Sequence, residues 1–128
     1  MPEFQSQTQD NLGQVQPADT NPQPLVSGLL SAPDQSDFLI GARPGGWVVR
    51  TIIVCNTGAA SSYRIFFDAA GATFDGTTAL FYDVPIPANT THHIDTYITS
   101  GNPLAVVKVR SADAAQITFT AFGELSTP

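Results

Sequence analysis

Two apolar segments joined by a short polar turn, within residues 47–67, constrain the fold of this chain more than any other feature. Most side chains in residues 47–55 and 63–67 are β-branched or aromatic, whereas residues 56–62 are small or polar. β-Branched side chains lose χ1 freedom in a helix but pack well on a pleated sheet. Asn, Gly and Ser in the intervening stretch allow the chain to reverse. This pattern predicts a β-hairpin.

The rest of the chain repeats the same alternation of apolar segments and turns. Seven strands are predicted, at residues 38–40, 47–55, 63–67, 79–84, 91–99, 104–110 and 116–122. Within two of these strands, the period-two pattern predicts an inner face made by His92, Ile94, Thr96, Ile98, Ile117, Phe119 and Ala121. Ile52 and Ile65 are also expected on an inner face. Strands with this spacing and no helical segment predict an all-β fold, a single β-sandwich of jelly-roll or immunoglobulin-like type.

Residues 1–36 differ from the rest because they are rich in Gln, Pro, Asp and Asn. Ordering the backbone costs about 1–2 kcal/mol per residue, and such a segment alone buries too little apolar area to offset that cost. We therefore expect an extended N-terminal arm outside a sandwich formed by residues 37–128. Its spaced apolar residues are predicted to be partner-binding anchors: Phe4, Leu12, Val15, Leu25, Val26, Leu29 and Leu30.

Charge and hydropathy exclude two classes of partner. Residues 1–37 contain five acids and no base, which is −5 of the net charge of −6. Nucleic-acid binding needs Lys and Arg on the phosphates, so no nucleic-acid partner is expected. No apolar run approaches the roughly 18 residues of a membrane span, and the N-terminus lacks the basic and then apolar pattern of a signal peptide. We expect synthesis in the cytoplasm and no membrane partner.

The residues that most resemble reactive or metal-binding groups are better explained as structural. His92 and His93 point to opposite faces of a strand, so they cannot chelate one metal within one chain; a ring of one histidine around a three-fold axis stays open. Cys55 is the only cysteine, which excludes an internal disulfide, and it is interpreted as a core residue. The sequence predicts no catalytic site, no cofactor and no metal.

The charged residues of the strands and loops are likewise given structural roles. Four Asp residues lack the spacing of a calcium loop, and most of them are interpreted as residues of turns or strand ends: Asp68, Asp75, Asp83 and Asp95. Basic residues that interrupt apolar strands are expected on an outer face, where they discourage aggregation of sheet edges: Arg50, Arg64, Lys108 and Arg110.

Three segments carry a resemblance to a known type of protein. They are Arg50–Thr57, Ala79–Thr90 and Ile117–Glu124, within a similarity that covers about residues 47–123. The layout resembles the small β-sandwich virion proteins of tailed bacteriophages, most closely the capsid decoration or cement proteins.

The resemblance implies a homotrimer on the outer capsid surface of the virion. Such a protein would bind the major capsid protein and stabilise the shell by bridging its subunits, with the arm as a tether and without catalysis. Two alternatives remain. One is another virion module, from the collar, head-to-tail joint or fibre base. The other is a receptor-binding or carbohydrate-binding domain that uses Trp47 or Tyr97, if either is exposed.

Overall fold

Eight strands form the part of the chain that the computed structural model describes, which is residues 7–27, 47–100 and 104–126. They are β1 (Gln7–Val15), β2 (Gln23–Ser27), β3 (Trp47–Asn56), β4 (Ser61–Asp68), β5 (Ala79–Ile86), β6 (Thr90–Ser100), β7 (Val106–Ser111) and β8 (Ile117–Ser126). The first sheet has the order β1-β8-β3-β6 and the second sheet has the order β2-β7-β4-β5. The predicted all-β sandwich is confirmed. No helix among these residues is long and apolar enough to cross a membrane.

The strand order distinguishes between the two sandwich types that the sequence allowed. All described pairings are antiparallel, and the early strands β1 and β2 pair with the late strands β8 and β7. Folding the two ends of the chain together in this way, in eight strands and two sheets, is the jelly-roll arrangement. The immunoglobulin-like alternative would group seven to nine strands differently.

The predicted hairpin at residues 47–67 is wrong, although both of its strands exist. β3 pairs with β6 and β8 in the first sheet, whereas β4 pairs with β5 and β7 in the second. Ile52 of β3 and Ile65 of β4 are both fully buried in the one core between the sheets. The turn therefore carries the chain from one sheet to the other. A turn sequence shows that the chain reverses, but it does not show which neighbours the two strands will pair with.

The predicted arm is also corrected, because residues 7–27 supply the edge strands β1 and β2. Leu12 and Leu25 are 6% exposed, Val26 is 1% exposed, and Val15 packs against the same core, so these side chains are not free anchors. The segment folds because β8 and β7 pair with its backbone, a contribution that is missed when the segment is considered alone. Phe4, Leu29, Leu30 and the predicted strand at 38–40 lie outside the described residues.

The core lies between the two sheets and follows the predicted inner faces. Ile52, Ile65 and Phe119 are fully buried. Along β6, the face that carries His92, Ile94 and Ile98 is more buried than the opposite face, as predicted. Cys55, in contrast, is only half buried, because its neighbours Val54 and Asn56 take the inner positions and turn it outward. Its predicted place in the core is wrong.

A buried asparagine connects the two sheets where the chain crosses between them. Asn56 is fully buried, and its Nδ2 donates to the carbonyls of Ala59 (2.8 Å), Pro87 (3.1 Å) and Ile86 (3.3 Å). Its Oδ1 accepts from the N–H of Gly58 at 2.9 Å and from Nε2 of Gln116 at 3.1 Å. One side chain therefore joins the β3–β4 turn to the end of β5 and the start of β8.

Candidate partner-binding surfaces

The two adjacent histidines lie on opposite faces of β6, as predicted. His92 points inward, with Nδ1 3.0 Å from the Tyr63 hydroxyl, whose pKa is raised by burial. His93 points outward, and its Nδ1 is 3.6 Å from Oδ1 of Asp95. Across residues 7–27, 47–100 and 104–126, no three His, Cys, Asp or Glu side chains are grouped so that they could hold a metal ion.

Asp68 and Asp75 have the turn roles that the sequence indicates. Asp68 accepts backbone N–H groups of Thr73 (2.7 Å), Ala72 (2.8 Å) and Ala70 (3.2 Å). These bonds stabilise the carboxylate and hold the pKa of Asp68 below its ordinary value. Asp75 accepts the hydroxyl and the N–H of Thr77, which lowers its pKa in the same way. Both carboxylates order the loop between β4 and β5.

The two aromatic residues that the sequence suggests for a binding surface differ in their exposed fraction. Trp47 is 2% exposed and meets Phe67 edge to face, with 6.3 Å between ring centroids. Tyr97 is 70% exposed on the outer face of β6. Trp47 is therefore a core residue, whereas Tyr97 fulfils the condition for a surface contact.

Tyr97 belongs to a group on the outer face of the first sheet that we call the first-sheet cluster, formed by Arg50, Tyr97 and Glu124. Arg50 lies at a β-bulge, since the pairing of β3 shifts between Val49 and Thr51 in both neighbouring strands. A bulge redirects the side chain of its extra residue. Arg50 Nη1 lies 3.5 Å from Glu124 Oε2, and its guanidinium carbon lies 5.7 Å from the Tyr97 ring centroid.

A matching second-sheet cluster, formed by Arg64, Tyr82 and Asp83, lies on the outer face of the second sheet. Arg64 donates two hydrogen bonds to Asp83, at 2.6 Å from Nε and 3.1 Å from Nη2. Its guanidinium carbon is 3.9 Å from the centroid of the Tyr82 ring. The hydrogen bond from Arg64 holds the pKa of Asp83 below its ordinary value.

Backbone geometry explains why Tyr82 and Asp83 both lie beside Arg64. The pairing of β4 with β5 shifts between Tyr63 and Ile65, which leaves Tyr82 and Asp83 together opposite Arg64. Asp83 has a φ of 51°, in the left-handed region that Asp tolerates better than most residues. The second-sheet cluster is thus also built on a bulge.

Two other basic residues flank the second-sheet cluster. Arg110 lies directly opposite Arg64 on β7, and its Nε donates to the carbonyl of Thr20 at 2.8 Å. Lys108 Nζ lies 4.4 Å from the centroid of the Phe74 ring, in the loop between β4 and β5. Arg50, Arg64, Lys108 and Arg110 thus take the outer positions that the sequence predicts.

Both clusters contain the residue types that are common in protein interfaces. Each places an exposed tyrosine ring beside an arginine that contacts a carboxylate, through two hydrogen bonds for Arg64 and one contact of 3.5 Å for Arg50. Tyr and Arg are enriched among the residues that dominate interface energies. Because they lie on the outer faces of two packed sheets, the clusters point in opposite directions. The sequence indicated the outward basic residues, but their tyrosine and acidic partners come from bulges and neighbouring strands.

Comparisons with known proteins add no family assignment. No protein-family model matches the chain, and no curated protein matches it with significant similarity.

Proposed function

We propose that this chain is a structural virion protein that binds the outer surface of a phage capsid and stabilises it by bridging capsid subunits. The observation that supports this proposal is the pair of matching clusters on opposite outer faces. A sandwich with two contact faces holds two neighbours at once. Once one face is bound, the second contact is effectively intramolecular, so the pair of contacts is stronger than either one.

The fold is compatible with this role. Jelly rolls occur in viral capsid proteins and in lectin domains, and a fold alone does not define a function. Residues 7–27 belong to the sheets, so the proposal assigns binding to the two outer faces rather than to a tether.

Cosedimentation with capsids of the virus that encodes this chain, assembled without it, tests the proposal. Tyr82 is 50% exposed and Tyr97 is 70% exposed, so Tyr82→Ala and Tyr97→Ala should fold normally. Each variant is expected to bind about tenfold or more weakly, as for an interface residue worth about 2 kcal/mol.

Leu104→Ala is the matched control, since Leu104 is 63% exposed and belongs to neither cluster. It should bind as the unsubstituted protein does. Unchanged binding of both tyrosine variants, or no binding of the unsubstituted protein to these capsids, would refute the proposal.

Carbohydrate binding is the second candidate, and the exposed ring of Tyr97 on a jelly roll favours it. A glycan array distinguishes the two. Glycan binding that is lost in Tyr97→Ala, together with no binding to capsids, would support this alternative.

A further inference from the structure

The two open sides of the sandwich differ in how well they cover the core. On the side of β1 and β2, the backbones approach closely: a Cβ added to Gly13 would lie 1.8 Å from the carbonyl oxygen of Leu25. Leu12, Leu25 and Val26 are buried there. Among the described hydrophobic side chains of β1 and β2, Val15 alone packs against the core while only partly buried. On the side of β5 and β6, Ile86 and Ile98 are buried, but Phe81, Val84 and Ile94 pack against the core and are only partly buried. The second side is thus incompletely covered.

Of the two edge strands on this open side, β6 is the one suited to pairing. β5 contains two register shifts, a left-handed residue at Asp83 and Pro85, and all of these oppose the addition of a strand. β6 is 11 residues long and pairs with β3 without interruption from Thr90 to Asp95. Among the described residues, no strand pairs with its other edge. The N–H and C=O groups of alternate residues point out along that edge.

We propose that β6 pairs in antiparallel fashion with β6 of a second copy, around a two-fold axis at Ile94. The two first sheets then become one continuous eight-stranded sheet. In this register Ile94 faces Ile94 of the second copy, and His93 faces Asp95 on both sides of the axis. A two-fold interface of this kind uses the same residues on both copies.

Two exposed polar side chains favour this register. The side chains of His93 and Asp95 are 62% and 81% exposed and share one face of the strand. A pairing centred on Asp95 would place two carboxylates opposite each other, and one centred on His93 would place two histidines together. Centring on Ile94 instead places each imidazole opposite a carboxylate that can accept its N–H, and complementary side chains across a strand pair are favourable. It also lets the two partly buried Ile94 side chains cover each other.

Cysteine cross-linking tests the register directly. Facing residues of an antiparallel pair have Cα atoms about 4.5–5.5 Å apart, within the range of a disulfide. Ile94→Cys in a Cys55→Ser background should therefore give a covalent dimer under mild oxidation. Thr91→Cys in the same background is the matched control. In this register residue 91 faces residue 97 of the second copy, so the two copies of residue 91 are six residues apart along the strands, which is about 20 Å. Equal cross-linking of both variants, or none of Ile94→Cys, would overturn the register.

Sedimentation tests the association itself and separates it from the homotrimer that the resemblance implies. The unsubstituted protein should have twice the mass of the 13.5 kDa chain. In His93→Asp, both facing pairs of residues 93 and 95 consist of two carboxylates, so the dimer should weaken about tenfold or more. Adding Asp95→His restores a histidine opposite each carboxylate and should restore the dimer. A monomer or trimer for the unsubstituted protein, or an unaffected His93→Asp dimer, would overturn the proposal. None of these outcomes depends on capsid binding.

Discussion

Asn56 is the residue on which the connection between the two sheets most depends. Replacing it with alanine removes its hydrogen bonds to the buried Ile86 carbonyl, to the Pro87 carbonyl and to the Gln116 amide, which keeps only its 2.7 Å bond to the Ala59 carbonyl. A buried polar group without a hydrogen bond costs about 1–3 kcal/mol. We expect Asn56→Ala to lower the free energy of unfolding by about 2–4 kcal/mol in urea denaturation.

Thr57→Ala is the control for this measurement. Its hydroxyl bonds the Gln116 carbonyl at 3.3 Å in an exposed position, so the loss should be under about 1 kcal/mol. If the two variants were equally stable, the buried network would have no special role.

Three aspartates with lowered pKa values predict how the stability of the fold depends on pH. The folded-state pKa values of Asp68, Asp75 and Asp83 lie below the ordinary value of 3.8. A carboxylate with a lowered folded pKa stabilises the protein above its unfolded pKa, and this contribution is lost as the pH falls through the folded pKa. The free energy of unfolding should therefore decrease as the pH is lowered from 3.8.

Asp68→Asn removes one of these titrating groups and should make the decrease shallower. Denaturation curves at a series of pH values between about 5 and 2 measure the slope. An identical slope in Asp68→Asn and the unsubstituted protein would show that the bonds from Ala70, Ala72 and Thr73 do not favour the carboxylate.

At the scale of elements, β1 and β2 are parts of the sandwich, and their removal should be costly. Leu25→Ala should lower the free energy of unfolding by about 2–5 kcal/mol, from lost burial and the cavity that remains. Gln16→Ala is the control, since Gln16 is exposed and contributes one bond to Thr118. Equal denaturation midpoints for the two variants would instead favour an arm outside the sandwich.

The sequence predicts individual strands better than it predicts their neighbours. β3 to β8 are recognisable because β-branched and aromatic residues alternate in them, and Ile52, Ile65 and Phe119 are buried as expected. β1 and β2 lack this pattern because their few apolar residues are diluted by Gln and Pro. These two segments form strands because their backbones pair with β8 and β7. Such pairing joins residues that are far apart in sequence. A local sequence pattern contains no information about it.

The two clusters also depend on strand pairing that a local sequence pattern does not contain. Charge in an apolar strand was enough to place Arg50 and Arg64 on outer faces. Their partners Glu124 and Asp83 come from other strands, and bulges bring them together. A one-residue change of register would move each partner to the opposite face.

For the whole molecule, the proposed function requires the two clusters to act as two contact faces of one sandwich. One bound face would attach the protein to the capsid, but it would not hold two capsid subunits together. Stabilisation of the shell should therefore require both clusters, whereas simple attachment should require one.

The temperature at which decorated capsids rupture tests this central claim most directly. The comparison uses the unsubstituted protein, Tyr82→Ala, Tyr97→Ala and the control Leu104→Ala, each at a concentration that saturates the capsid. We expect the unsubstituted protein and Leu104→Ala to raise the rupture temperature, and each tyrosine variant to occupy the capsid without raising it. If either tyrosine variant at full occupancy raised the rupture temperature as much as the unsubstituted protein does, bridging through two faces would be contradicted.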